Sequence, residues 1–210
     1  MESLIKHLAI FAENTFMENI KNIIRASIAV KEQALADDKL MQAVKDSVNI
    51  IVSAFEKGNK VLFCGNGGSA SDAQHLAAEL TGRFYTDRDA LPAEALHCNS
   101  SYLTAVANDY SYDVIYSRLL KGVGNRGDIL VGLSTSGNSK NIVKAFEMAK
   151  EKGMTTIGFT GSTGGKLKTL SDVLINVPSD DTPRVQETHI TLGHIICQLV
   201  EELYFAKTND

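Results

Sequence analysis

The hydrophobic period of the chain changes near residue 60. Before that point Leu4, Leu8, Phe11, Ile20, Ile23, Ile24, Ile28 and Ala29 recur at helical spacing, with no Gly or Pro between them. A second periodic stretch (Leu40, Met41, Val44, Val48, Ile51, Val52, Phe55) follows Asp37 or Asp38 as its N-cap and stops at Lys57-Gly58. The spacing predicts two helices over 1–56. A long helix this near a terminus cannot bury its whole apolar stripe against one small domain, so packing against another subunit is expected.

Beyond residue 60 the pattern becomes short aliphatic and β-branched runs separated by helical ones. KVLFC (60–64), AEALHC (93–98), DILVGL (128–133), TTIGFT (155–160) and DVLINV (172–177) read as strands. Helices are expected at 69–82, around 100–107 and 112–121, at 139–152 and at about 184–207, with Gly82 and Gly153 closing two of them. Near-continuous apolar strands alternating with helices imply a parallel sheet covered on both faces. The expectation is an α/β chain: a three-layer αβα sandwich around a five-stranded parallel sheet, with an N-terminal helical extension. We divide it into helices at 1–58 for oligomerisation and a binding domain at 59–210, one structural unit together.

Composition narrows the function. Of 210 residues 44% are hydrophobic and 22% charged, which is globular usage. The 21 basic and 25 acidic residues give a net charge of −4, poor material for holding a phosphate backbone, so no nucleic acid is expected. Three cysteines, none in CxxC spacing, form no disulfide framework. The opening MESLIKHLAI carries Glu2, Lys6 and His7 where a signal peptide wants an apolar stretch. No apolar run approaches the roughly 20 residues of a membrane span. A cytoplasmic protein without membrane contact is expected.

The 16 glycines stand against 3 prolines and are bunched at strand ends. Strand one runs into Gly65-Asn66-Gly67-Gly68-Ser69, strand three into Ser134-Thr135-Ser136-Gly137-Asn138-Ser139. In parallel sheets ligands bind beyond the carboxyl ends of strands, and a helix beginning there offers free N–H groups to an anion. One cap needs one such residue, whereas the second loop holds four hydroxyls. GNGGSA nearly matches the dinucleotide pattern, but the second strand ends His97-Cys98-Asn99 with no acid for a ribose. GSTGGK (161–166) lacks the Ser or Thr that ends a P-loop, since Leu167 follows Lys166. Hydroxyls and N–H groups without lysine or arginine suit one phosphate monoester, such as a phosphosugar.

His75 and Glu79 stand four apart on the helix after the first loop, hence on one face. The last helix brings Gln186, Glu187, His189 and His194. His189 and His194 lie roughly 140° apart around a helix and cannot face one site. Gln186 and His194 are about 80° and about 12 Å apart, so they converge on one ion only by leaning together or by a break in the helix.

These residues together carry a family resemblance. STSGNS after DILVGL, with CGNGGS after the first strand, resembles the sugar isomerase (SIS) domain, a phosphosugar-binding fold. CGNGGSASDAQHLAAELTGRF and RVQETHITLGH resemble the phosphoheptose isomerases over nearly the whole chain. The resemblance implies isomerisation of sedoheptulose 7-phosphate to D-glycero-D-manno-heptose 7-phosphate through an enediol, the first step toward bacterial surface heptose. It implies phosphosugar contacts at Asn66, Gly67, Gly68, Ser69, Glu79, Arg83, Asn108, Asp109, Ser134, Thr135, Ser136, Ser139 and Gln186. It implies one zinc ion held by His75, Glu79, Gln186 and His194, with Glu79, His194 and Gln186 as the catalytic set. It also implies a homotetramer with active sites at subunit interfaces.

One departure stands out: Pro183 precedes Arg184-Val185-Gln186 where some members carry an acid, leaving Asp180 and Asp181 as nearby candidates. Two alternatives remain: a non-catalytic SIS-domain regulator resembling the DnaA initiator-associating protein, and a paralogous ketose-phosphate isomerase. The presence of both Glu79 and His194 favours an enzyme over the regulator.

Overall fold

The structure, a computed structural model, describes residues 2–206, with side chains from residue 15 onward. The apolar positions Leu4, Leu8 and Phe11 therefore lie outside the described side chains. The elements run α1 (Glu2–Leu35), α2 (Asp38–Glu56), β1 (Val61–Gly65), α3 (Gly68–Thr81), β2 (Ala93–Ala95), α4 (Ser100–Asp109) and a 3-10 turn (Tyr112–Val114). They continue with α5 (Ile115–Val123), β3 (Ile129–Leu133), α6 (Lys140–Glu151), β4 (Thr155–Thr160), α7 (Leu167–Leu170), β5 (Val173–Asn176) and α8 (Thr182–Ala206). Asp37 is the cap of α2: its carboxylate accepts from the N–H groups of Lys39 and Leu40 at 2.9 and 3.2 Å.

All five strands are parallel, in the order β2-β1-β3-β4-β5. Successive side chains of a strand point to opposite faces, and the core divides accordingly. Val61, Phe63, Ile129, Val131 and Ile157 pack under α2, α3 and α8 on one face. Leu62, Cys64 and Leu130 pack under α5 and α6, where Ile115, Tyr116, Ile142 and Phe146 are fully buried. The three layers expected from the alternation are present. The chain leaves β1 first for β2 on one side and then for β3 on the other. The crevice between the carboxyl ends of β1 and β3 is therefore the topological switch point.

Two boundaries differ from expectation. The strand expected over 93–98 is three residues long. Ala93–Ala95 pair with Val61–Phe63, and the N–H of Leu96 still reaches the Phe63 carbonyl, but the Cys98 N–H then turns back onto Ala95. That turn frees Asn99 to cap α4 through the Tyr102 N–H at 3.0 Å, and a cap wins over a longer edge strand. The helix expected at 112–121 begins as a 3-10 turn because the Ser111 hydroxyl caps Asp113 there. The short α7 was not legible in the glycine-rich stretch that precedes it.

A buried ion pair joins α3 to α8. The Glu201 carboxylate on α8 accepts from the N–H groups of Phe84, Tyr85 and Thr86 at 3.1, 2.9 and 2.9 Å and from Arg88 Nε at 2.9 Å. Both side chains of the pair are almost wholly buried, at 4% and 3% exposure. The Arg88 guanidinium also donates to the carbonyls of Glu79, Leu80, Gly82 and Asp89, which hold it against the end of α3. Burial by itself raises the Glu201 carboxyl. The Thr86, Phe84 and Tyr85 N–H groups and Arg88 outweigh it and bring the group down to about 2.

Two outcomes follow for this pair. Glu201→Gln leaves a buried guanidinium without its counter-charge and should cost roughly 3–5 kcal/mol, read from denaturant midpoints; a loss below about 1 kcal/mol would show the pair to be dispensable. The depressed Glu201 carboxyl contributes stability above the unfolded value of about 4.3 and loses it as pH falls toward about 2. Wild-type melting temperature should therefore drop between pH 5 and 2 more steeply than that of Glu201→Gln.

Candidate active site

Both glycine- and hydroxyl-rich loops open at the switch point, and side-chain amides stitch them together. Asn66, just past β1, donates to Asn141 Oδ1 at 2.9 Å and accepts from Asn141 Nδ2 at 2.8 Å. The Tyr112 hydroxyl adds a third bond, to Asn66 Oδ1 at 3.0 Å, and the Tyr116 hydroxyl donates to the Gly65 carbonyl. Asn141 is 3% exposed and lies in the first turn of α6, so its bonds to the half-buried Asn66 fix one loop against the other. Sequence reasoning missed Asn141, Tyr112 and Tyr116. The signal available was an asparagine in the first turn of a helix, directly before the apolar Ile142 and Val143. Gly67 has φ +54° before α3, and Ser69 is buried in that helix's first turn.

In the second loop Ser134 and Ser139 hydroxyls stand 3.0 Å apart, and the Ser134 N–H bonds the Phe159 carbonyl. Gly137 is held at φ +64°, and a Cβ there would lie 2.1 Å from the Gly164 carbonyl oxygen. The N–H groups of Lys166 and Leu167 bond Asn138 Oδ1 and the Gly137 carbonyl at 3.1 Å each, and the Gly161 N–H bonds the Thr135 carbonyl at 2.8 Å. The GSTGGK stretch therefore buttresses the hydroxyl loop from behind. α3 and α6 follow the two loops directly, the arrangement in which helix N-termini can receive an anion.

The third constellation comes from α3 and α8. His75 Nε2 lies 2.9 Å from Glu79 Oε1, and His194 Nε2 lies 3.0 Å from His75 Nε2. One ligand atom from each of the three lies within 4.8 Å of the others. A proton on His75 Nε2 aimed at Glu79 leaves no lone pair there for His194. A cation shared by all three atoms satisfies every one, and two imidazoles with a carboxylate are a zinc donor set. The residues fit the ion. The Gln186 amide lies against Gly68, where a Cβ would come within 2.9 Å of Nε2. His189, as its spacing required, faces elsewhere, with Nε2 3.1 Å from the Thr160 carbonyl.

Comparison with known proteins decides the family. The SIS domain model matches residues 15–161. A phosphoheptose isomerase of Aneurinibacillus thermoaerophilus is 53% identical over 186 residues, 89% of this chain and 94% of that protein. One of Burkholderia pseudomallei is 49% identical over 93% of this chain and 99% of its own. Among solved structures, the phosphoheptose isomerase of Neisseria gonorrhoeae superposes with a TM-score of 0.84 at 39% identity, over 89% of this chain and 99% of that one. That of Francisella tularensis gives 0.85 at 35%, over 89% and 98%. The chain belongs to the SIS-domain phosphoheptose isomerase family.

The remaining expected positions lie on several different elements. Thr135 and Ser136 lie in the buttressed loop, and the Ser136 hydroxyl accepts from the Asn138 N–H at 3.2 Å. Arg83 is exposed just past α3. Asn108 and Asp109 are exposed at the end of α4, bonded to each other at 2.9 Å and to neither loop. Asp180 takes the Ser162 hydroxyl, so it is engaged outside the histidine cluster. Asp72, one turn before His75, was not singled out by sequence; burial raises its carboxyl while His75 and His194 oppose the rise. A cavity of about 1180 Å³, bordered by Tyr85, Arg88, Leu91, Gln198 and Phe205, touches none of the family's expected site residues.

Gly137→Ala tests the buttress. The added Cβ meets main chain and cannot adopt φ +64° without strain, so a loss of roughly 1–3 kcal/mol is expected, with weaker phosphate binding. Melting temperature and inorganic phosphate affinity check it together; both unchanged would show the loop to be free-standing.

Proposed function

We propose that this chain is a phosphoheptose isomerase interconverting sedoheptulose 7-phosphate and D-glycero-D-manno-heptose 7-phosphate. The observation that carries the reading is the meeting of His75, Glu79 and His194 from two helices, one of which begins at the first glycine loop. The half-covered Glu79 is the base we assign. Its Oε1 faces His75, which leaves Oε2 to take the C1 proton of the open-chain ketose. His194 is assigned to return a proton at C2 or its oxygen, while the Gln186 amide orients the sugar hydroxyls as the enediol forms. A zinc ion held by His75, Glu79 and His194, with Gln186 as a further donor, would supply Lewis-acid polarisation of the sugar oxygens.

The phosphate end is assigned to Ser134, Thr135, Ser136 and Ser139 and to the N-terminus of α6. Binding energy there holds the reacting end in register. Asn66, Gly67, Gly68, Ser69, Arg83, Asn108 and Asp109 are assigned to the rest of the sugar phosphate. A non-catalytic regulator is disfavoured because Glu79 and His194 not only persist but meet.

We read the assembly as a homotetramer with interfacial sites. Phe16, Met17, Ile20, Ile23, Ile24 and Ile28 on α1 stay 38–65% exposed, a row that water does not favour. Among the described residues no helix is long and apolar enough to cross a membrane. The three cysteines are all free thiols, in keeping with a reducing cytoplasm.

Purified protein given sedoheptulose 7-phosphate should release the aldose phosphate. Glu79→Gln should lower kcat by about 10²-fold or more, and chelation should abolish turnover until zinc is restored. Absence of aldose with and without chelator sinks the reading.

A further inference from the structure

His189 takes no part in the reaction as proposed, yet it is fully buried and polar. Its Nε2 lies 3.1 Å from the Thr160 carbonyl oxygen. A carbonyl only accepts, so Nε2 carries the proton and Nδ1 does not. Nδ1 is buried with no hydrogen-bond partner. Burial brings the ring down to about 4, only partly opposed by the bond to Thr160, so it is neutral near pH 7. The Phe159 ring stands edge-on at 5.5 Å. An aliphatic side chain against Phe159 would avoid burying that unpaired nitrogen, so the imidazole costs stability and the bond it makes needs a reason.

The reason lies in what Thr160 and Gly161 join. The Thr160 carbonyl also accepts the Val177 N–H at 2.9 Å, so it is fixed in the sheet. The next N–H, of Gly161, bonds the Thr135 carbonyl inside the hydroxyl loop at 2.8 Å. A Cβ on Gly161 would lie 2.8 Å from the Thr135 carbonyl oxygen and 3.4 Å from Val185 of α8, so loop and helix close on the same residue. Among the described residues, the His189 bond is the one hydrogen bond between an α8 side chain and the sheet. Gln186 sits one turn before it on α8, and His194 sits beyond it.

We infer that His189 is a positioning residue: through Thr160–Gly161 it sets the span between the phosphate loop and the Gln186 and His194 end of the site. This rests on the isomerase reading above. A sugar phosphate gripped at one end and reacting at the other feels an error in that span directly, and about 1 Å of misplacement can cost about 10²-fold in rate.

Three variants test it: His189→Gln, whose amide nitrogen stands near the place of Nε2; His189→Asn, too short to reach Thr160; and His189→Leu, which lacks a donor. All three are measured for melting temperature, kcat and KM on sedoheptulose 7-phosphate, and competitive inhibition by inorganic phosphate. His189→Asn and His189→Leu should lose about tenfold or more in kcat, with phosphate inhibition unchanged, and His189→Gln should stay within about threefold of wild type. The inference is overturned if folded His189→Asn or His189→Leu keeps wild-type kcat, or if His189→Gln falls as far as His189→Asn. If His189→Leu does not fold, the Gln and Asn variants decide. A wild type that does not turn over the ketose, yet binds inorganic phosphate, instead overturns the isomerase reading.

Discussion

The geometry of the site depends on one buried ion pair. Arg88 and Glu201 neutralise each other where neither is wetted, and their other hydrogen bonds are to main chain. Such a pair is weak evidence for stability gained over an apolar core, since desolvation offsets most of the attraction. Its effect here is orientation. Arg88 Nη2 holds the carbonyl of Glu79 itself at 2.8 Å, and Glu201 lies two turns beyond His194 on α8. The two helices that carry the acid–base groups are thus joined beside Glu79 on α3 and two turns beyond His194 on α8. Removal of either charge would leave the other buried and would let His75, Glu79 and His194 drift apart.

Anion binding in an acidic chain is the second physical theme. No lysine or arginine belongs to either loop, so a phosphate bound there as proposed would be held by hydroxyls and helix N-termini. Rigidity therefore replaces charge. Asn66 with Asn141, and Gly137 against Gly164, are devices of this kind: they fix donors before the ligand arrives, so little ordering is left for binding to supply.

Most of the fold was legible because its signals are local. Continuous apolar strands, glycines after helices and Asp37 as a cap each follow from the few residues around them. The hydroxyl loop was legible for the same reason, since five caps in six residues exceed what a turn needs. What escaped the sequence is long-range. Arg88 and Glu201 are unremarkable charges until the fold buries them together, and Asn141 has meaning only opposite Asn66. His75 and Glu79 could be placed on one face from spacing alone. That His194 would meet them required the crossing of α3 and α8, which no periodicity reports. The family resemblance supplied that conjunction, and the 3.0 Å contact between the two imidazoles gives its geometry.

The hydroxyl loop is the phosphate end of the proposed site, and the elements around it set the distance from there to the reacting carbons. One helix carries the first ruler. Gly68, at the N-terminus of α3, lies against the Gln186 amide, and His75 and Glu79 stand about 10 and 16 Å along the same axis at 1.5 Å per residue. A straight helix has little compliance, so that separation is fixed as the chain folds. The second ruler, from Thr135 through Gly161 and Thr160 to α8, must agree with it, because His194 approaches His75 from that side. Two rigid paths to one cluster over-determine its position.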